Sequence, residues 1–214
     1  MKLSTWLTFF VASWLISFSP GAGAISCMSV GMREGYRRAL WNIAGLELGI
    51  AMLIAIVAAG LGAVLAASAM AFAAIKWFGV AYLIFLGIQQ WRAKAETVKL
   101  DTDASAVRRT PRQLVAQGFL INASNPKAIV FMLAVLPQFI DPNVETSAPQ
   151  WPQYAVMIAT LICTDLVAMS IYALLAAKVL SALREPHHIR WLNRAFGGLF
   201  IGAGLLLASF KRSA

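Results

Sequence analysis

From Ala39 to Trp91 the chain runs for 53 residues with two charged side chains, Glu47 and Lys76. Each helical crossing of a bilayer takes about 20 apolar residues, so this tract predicts a tight hairpin of two membrane spans. They read as Trp41 to about Ala63 and about Ser68 to Trp91, with the turn between Gly60 and Ser68. Lipid offers no partner to a free backbone N–H or C=O, which leaves helices as the folding solution for apolar runs of this length. Composition agrees. Of the 214 residues, 60% are hydrophobic and 13% charged, whereas soluble domains carry roughly 25% charged residues.

Leu3 to Met32 contains no charged residue. This first span is interrupted by Ser19-Pro20-Gly21-Ala22-Gly23, and a fourth span, about Gln113 to Ile140, is interrupted by Asn125-Pro126-Lys127. Proline lacks the backbone donor and clashes with the preceding turn, and glycine relaxes the chain, so each span predicts two half-helices. In hydrocarbon such a break is tolerated where the freed groups face protein or a wet cavity. Two interrupted spans at matching places point to the midplane binding site of a secondary transporter. Ala22-Gly23-Ala24 has the small residues of a signal cleavage site. The apolar stretch continues past it through Ile25 to Met28, beyond the roughly 7 to 15 residues of a signal core, and reads as a retained span.

A fifth span, Gln153 to about Lys178, carries Asp165 in its middle, and a sixth runs from about Trp191 to Phe210. Arg92 to Arg112 holds six basic and three acidic residues and ends near Pro111; it reads as a solvated connector. The expected fold is an all-α integral membrane protein, a single transmembrane domain over residues 1–214. Repeat one covers about 1–92, the connector about 93–112 and repeat two about 113–214. Lys76-Trp77-Phe78-Gly79-Val80-Ala81-Tyr82-Leu83 resembles Arg194-Ala195-Phe196-Gly197-Gly198-Leu199-Phe200-Ile201, while Pro20 answers Pro126 and Glu47 answers Asp165. Three spans is an odd number, so a second copy enters the bilayer from the other side. The six transmembrane helices thus form two inverted three-helix repeats, with the first and fourth helices interrupted.

Lys and Arg concentrate in the turn after span one, in the connector and in the turn after span five, which predicts that those loops are cytoplasmic and both termini periplasmic. The net charge of +9 sits between apolar runs rather than in a basic stripe, so it reads as a topology signal and excludes a nucleic-acid partner. His187 and His188, beside Pro186, read as part of a solvated loop rather than a metal site. Cys27 and Cys163 show no metal or redox spacing. No nucleophile–base pair is recognisable, which argues against an enzyme, and nothing in the chain calls for a cofactor.

A charged side chain inside a span is costly and marks function by default. Lys127 and Asp165 lie near the centres of their spans; Glu47 lies about two turns inside its own, between Gly45 and Gly49. These parts suit a small zwitterion. The N-terminus of a half-helix exposes unpaired N–H groups and a positive dipole end, so Gly21, Ala22 and Gly23 could receive a carboxylate with Lys127 adding a point charge. Ser19, Asn125, Asp165 or Glu47 could accept from an ammonium. Asp165 and Glu47 are also candidates for proton coupling, since a carboxyl in a cavity can exchange protons with either side in turn. The alternative is that the breaks kink helices for packing and that Lys127 and Asp165 form a silent pair.

Ser19-Pro20-Gly21, Gly79 to Gly87 in span three and Asn125-Pro126-Lys127-Ala128 resemble the signatures of the LysE/RhtB family of amino-acid exporters. Gly35-Tyr36-Arg37, Leu86 to Arg92 and Pro137-Gln138-Phe139-Ile140 place the resemblance nearest the homoserine and homoserine-lactone efflux branch. It covers essentially the whole chain. The resemblance implies a multi-pass exporter of the bacterial inner membrane that moves small neutral amino acids such as homoserine, its lactone and threonine by proton antiport. Its partners would be the amino acid, protons and the lipid bilayer, and a homo-oligomer is compatible with it. It makes Ser19, Pro20, Gly21, Ala22, Gly23, Asn125, Pro126 and Lys127 the expected substrate-binding set. Two departures stand out: Ala22 where the family often has a second proline, and Glu47 where a neutral polar residue is expected. A membrane thiol–disulfide carrier and an ion exchanger are the rival classes.

Overall fold

The structure is a computed structural model, and it describes residues 3–67, 69–93, 109–140, 151–176 and 186–209. Among these the chain forms α1 (Leu3–Phe18), α2 (Ala22–Glu34), α3 (Tyr36–Ala67), α4 (Ala69–Arg92), α5 (Pro111–Ala123), α6 (Pro126–Ala134), a 3-10 turn over Leu136–Phe139, α7 (Trp151–Leu174) and α8 (Pro186–Ser209). The body of the connector, the loop after the 3-10 turn, most of the loop before α8, both extreme ends and Ser68, the last residue of the turn expected between Gly60 and Ser68, lie outside the described residues.

Both interruptions fall where proline places them. α1 and α2 meet at 57° and α5 and α6 at 56°. α3 over Tyr36–Gly60 and α7 over Trp151–Leu174 are each long and apolar enough to cross a membrane, and each bent pair also qualifies if taken as one span. Two boundaries differ from the expectation. α3 continues through Gly60 and Gly62 to Ala67, because each glycine costs a helix only about 1 kcal/mol. α8 begins at Pro186, so His187 and His188 sit in a first helical turn instead of a loop; proline breaks a helix interior but suits its first position.

Packing relies on backbones in close approach. On α3, Gly45 lies against the backbone of Val115 and Phe119, and Gly118 of α5 lies against the carbonyl of Asn42. Gly87 of α4 and Gly197 of α8 face each other, such that a Cβ on either would come within 2.7 Å of the other's carbonyl oxygen. Small residues of this kind let membrane helices gain dispersion contact that lipid cannot supply. α2 wedges between α3 and α7, and α1 leans on α7. Leu48, Ile56, Phe85, Leu120, Leu166 and Leu205 are exposed, as lipid-facing positions should be. Trp41, Trp77, Trp91, Trp151 and Trp191 are exposed near helix ends, where an interfacial belt places them.

Two apolar clusters form the interior. One gathers Phe9, Ile50, Ile54, Val80, Phe131, Met157 and Leu161; the other gathers Ala24, Cys27, Val30, Ile43, Leu46, Leu114 and Met169. The polar cavity described next lies at their junction, walled by Leu46, Ala24 and Met169 from one and Ile50 and Leu161 from the other.

Candidate functional site

The cavity has a volume of about 50 Å³, room for roughly three or four waters, and must widen to hold an amino acid. Ser17, Ser19, Gly21 and Gly23 from the first break, Asn122, Asn125 and Lys127 from the second, and Asp165 from α7 line it. Helix ends leave four N–H or four C=O groups without partners inside the helix. The two breaks bring one such end of each kind to the cavity wall.

At the C-terminal end of α1, Lys127 Nζ donates to Ser19 O at 2.8 Å and to Ile16 O at 3.3 Å. Tyr172 Oη donates to Phe18 O at 2.7 Å. A cation on the last carbonyls of a helix also meets the negative end of its dipole. Across the break, α2 begins after Gly21, whose extended backbone (φ −156°, ψ −168°) supplies no side-chain cap. The second break is finished differently. Asn125 Oδ1 accepts from Lys127 N at 3.0 Å, with Pro126 at the first helical position of α6, so that helix start is satisfied within its own chain.

The opposite wall is acidic. Asp165 is 8% and Glu47 7% exposed; the two carboxyls lie against each other, with Ser17 beside Asp165. Both Glu47 oxygens are buried, and the group placed to hydrogen-bond them is the Asp165 carboxyl, through a proton held between the two. Lys127 acts on Asp165 through space while its own donors go to the α1 carbonyls. Lys127 and Asp165 are therefore not joined as an ion pair; the ammonium and the Asp165 carboxyl line one cavity, and Glu47 stands behind Asp165.

Of the residues expected from the sequence, Ser19, Gly21, Gly23, Asn125, Lys127 and Asp165 all line the cavity. Glu47 stands behind the lining, against Asp165. Pro20, Ala22 and Pro126 do not line it, and Ala22 and Pro126 are exposed; their part is to shape the breaks. Sequence reasoning missed Asn122, Ser17 and Tyr172. Asn122 Nδ2 donates to Leu46 O at 2.9 Å, which turns its carbonyl oxygen toward Gly23. A usable signal existed for two of them: Ser13 and Ser17 are one helical turn apart and both buried, and Asn122 lies one turn before Asn125.

On the side where α2 joins α3, a run of polar contacts ties α2, α3 and α5 together. Glu34 accepts from Arg38 Nε and from Arg109 Nε, each at 3.1 Å. Arg109 also donates to Gln117, Gln117 Nε2 to Ser26 Oγ at 3.1 Å, and Ser26 Oγ to Asn42 Oδ1 at 3.0 Å. Asn42 Nδ2 then donates to Leu114 O. Gly35 (φ 84°) forms the joint between α2 and α3, a left-handed conformation that side chains disfavour. Toward the other side, a cavity of about 730 Å³ lies between α1, the end of α6 and α8, lined by Leu7, Val11, Phe139 and Phe200 among others. Ile16 borders both cavities.

Comparison with known proteins gives a consistent result. The LysE type translocator family matches residues 14–210. The homoserine/homoserine lactone efflux protein of Salmonella typhimurium is 42% identical over 213 residues, covering 100% of both chains. An uncharacterized membrane protein of Vibrio cholerae is 39% identical over 211 residues, 99% of this chain and 100% of its own. The threonine efflux protein of Escherichia coli is 25% identical over 209 residues, 96% and 98% of the two chains. No solved structure matches the chain.

Proposed function

This chain belongs to the LysE type translocator family, and from that premise we propose that it exports small neutral amino acids of the homoserine and threonine kind across the bacterial inner membrane by proton antiport. The observation that carries the reading is the polarity of the central cavity. One wall offers an uncapped helix N-terminus with an ammonium beside it, and the other offers the buried Asp165 carboxyl, backed by Glu47. That is the complement of a zwitterion: the substrate carboxylate at Gly21 to Gly23 and Lys127, its ammonium at Asp165 and Glu47. Asp165 and Glu47 exchange the coupled proton when the amine is absent. The relatives' names support the substrate class.

The contacts of Glu34 close the cytoplasmic side in this arrangement, and the apolar cavity beyond Ile16 is the way out. Six spans in two inverted repeats, with both termini periplasmic, complete the reading. A reporter active only in the cytoplasm is expected to be silent at Ala214 and active in the connector at Ser105; the opposite pattern reverses the orientation.

Gly21→Val tests the site. A Cβ at Gly21 would stand 3.4 Å from Lys127 Nζ and 3.6 Å from its Cε, so the larger valine fills the place assigned to the substrate carboxylate. Cells overproducing the parent chain are expected to tolerate otherwise toxic homoserine or threonine, and Gly21→Val is expected to lose that tolerance at equal membrane abundance. Retained export by the variant would remove the carboxylate site. An ion exchanger, the remaining rival, would show proton flux without dependence on amino acid. The thiol–disulfide alternative loses support because Cys27 is buried while Cys163 is exposed.

A further inference from the structure

We propose that Asn122 reads the side-chain hydroxyl of the substrate, and is the residue by which the central site tells a hydroxylated amino acid from an apolar one of the same shape. The proposal rests on the transport reading above and concerns how the same cavity selects its cargo. Asn122 is 7% exposed and lines the cavity. Its Nδ2 donates to Leu46 O at 2.9 Å, and a carbonyl can only accept, so this bond fixes which end of the amide is which. Oδ1 is left to the cavity, with no donor among the described residues reaching it. It lies on the side of Gly23, where a Cβ would stand 3.8 Å from it. Gly23 belongs to the first turn of α2, which no side chain caps, so N–H groups without a partner in their own helix stand beside a free acceptor.

Donors and an acceptor side by side match a hydroxyl and neither charged end of an amino acid. A carboxylate only accepts, so Oδ1 repels it; it is better placed toward Gly21, where a Cβ would stand 3.4 Å from Lys127 Nζ. An ammonium only donates, and the positive start of α2 repels it. A hydroxyl donates to Oδ1 and accepts from an N–H with the same oxygen. The wall around this corner is otherwise apolar, from Leu46, Ile50, Met132 and Leu161. A methyl in the hydroxyl's place would seal Oδ1 and the α2 amide away from water unmet, a loss of at least about tenfold in affinity.

The experiment measures the affinity of detergent-purified full-length protein for threonine and for valine, which carries a methyl where threonine has its hydroxyl, together with counterflow of labelled threonine in proteoliposomes. The wild-type chain is expected to bind threonine at least about tenfold more tightly than valine. Asn122→Leu and Asn122→Asp both lose the donor to Leu46 O, but the aspartate keeps an oxygen for the hydroxyl. Asn122→Leu is therefore expected to abolish the preference for threonine, and Asn122→Asp to hold the threonine-to-valine ratio near the wild-type value whatever happens to the absolute affinities. A residue that merely orders α3 against α5 would weaken both ligands alike, so an unchanged ratio in Asn122→Leu overturns the proposal, as does an equal fall of the ratio in Asn122→Asp. A wild-type chain that binds the two amino acids equally overturns it without recourse to any variant. If threonine counterflow by the wild type proceeds in any of these cases, the transport reading stands and this proposal alone fails; absence of any counterflow removes both.

Discussion

Replacing Lys127 by methionine is expected to reduce homoserine or threonine export per copy of protein by on the order of a hundredfold. The side chain is nearly isosteric up to its end but donates no hydrogen bond. Its loss leaves Ser19 O and Ile16 O, received now at 2.8 and 3.3 Å, without their donor at a helix end. Hydrogen bonds to charged groups are worth roughly 1.5 to 3 kcal/mol each, and about 1.4 kcal/mol is a factor of ten. The same change removes the point charge proposed for the substrate carboxylate and the positive charge that faces Asp165. Asp165→Asn is expected to impair export as well. Because Lys127 is held by carbonyls and not by Asp165, the double change should recover neither export nor abundance. Recovery of abundance in the double variant would mean that the two charges need each other more than the carbonyls need Lys127. Wild-type transport by Lys127→Met would sink the site assignment.

Gly118→Leu is expected to strike the fold instead, lowering membrane abundance several-fold or more along with export. The α carbon of Gly118 lies against the carbonyl of Asn42, and Gly45 on the facing helix lies against Val115. A side chain there meets backbone, which cannot rotate away. Overpacking of a core costs roughly 1 to 3 kcal/mol even where side chains yield. Parting α3 from α5 would also break Asn42 Nδ2 to Leu114 O and Asn122 Nδ2 to Leu46 O, the bond that orients Asn122 at the cavity. Gly60→Leu is the matched control, since Gly60 is exposed and a Cβ there has nothing within 4 Å. Quantitative blotting of membranes distinguishes the two classes: Lys127→Met loses transport per copy, Gly118→Leu loses copies. Equal abundance of Gly118→Leu and Gly60→Leu would show that the close approach is not needed.

What the sequence disclosed follows from how local each cause is. Pro20 and Pro126 act on their own helices, so the breaks and the half-helices around them were legible to within a residue or two. Lys127 and Asp165 stood out because a charge in an apolar span has few bland explanations. Pro186 misled, since the same residue that ends a helix also starts one, and only the following turn decides. The partners of Lys127 were illegible: Ser19 is 108 residues away, and nothing in periodicity tells which helix end a lysine will reach. Ser26, Asn42 and Gln117 sit on three different helices, and their joining depends on packing of α2, α3 and α5 set by Gly45 and Gly118. Sequence pattern identifies a polar face but not the face that meets it.

Lys127 also ties two levers together. Its backbone belongs to α6, anchored there by Asn125, while its ammonium grips the end of α1; tilting one half-helix must drag the other. Under the proposed transport reading, a substrate carboxylate would compete with the α1 carbonyls for that ammonium, and a zwitterion on arrival would loosen the fastening that holds the two broken helices in step. A ligand without a carboxylate leaves the fastening closed.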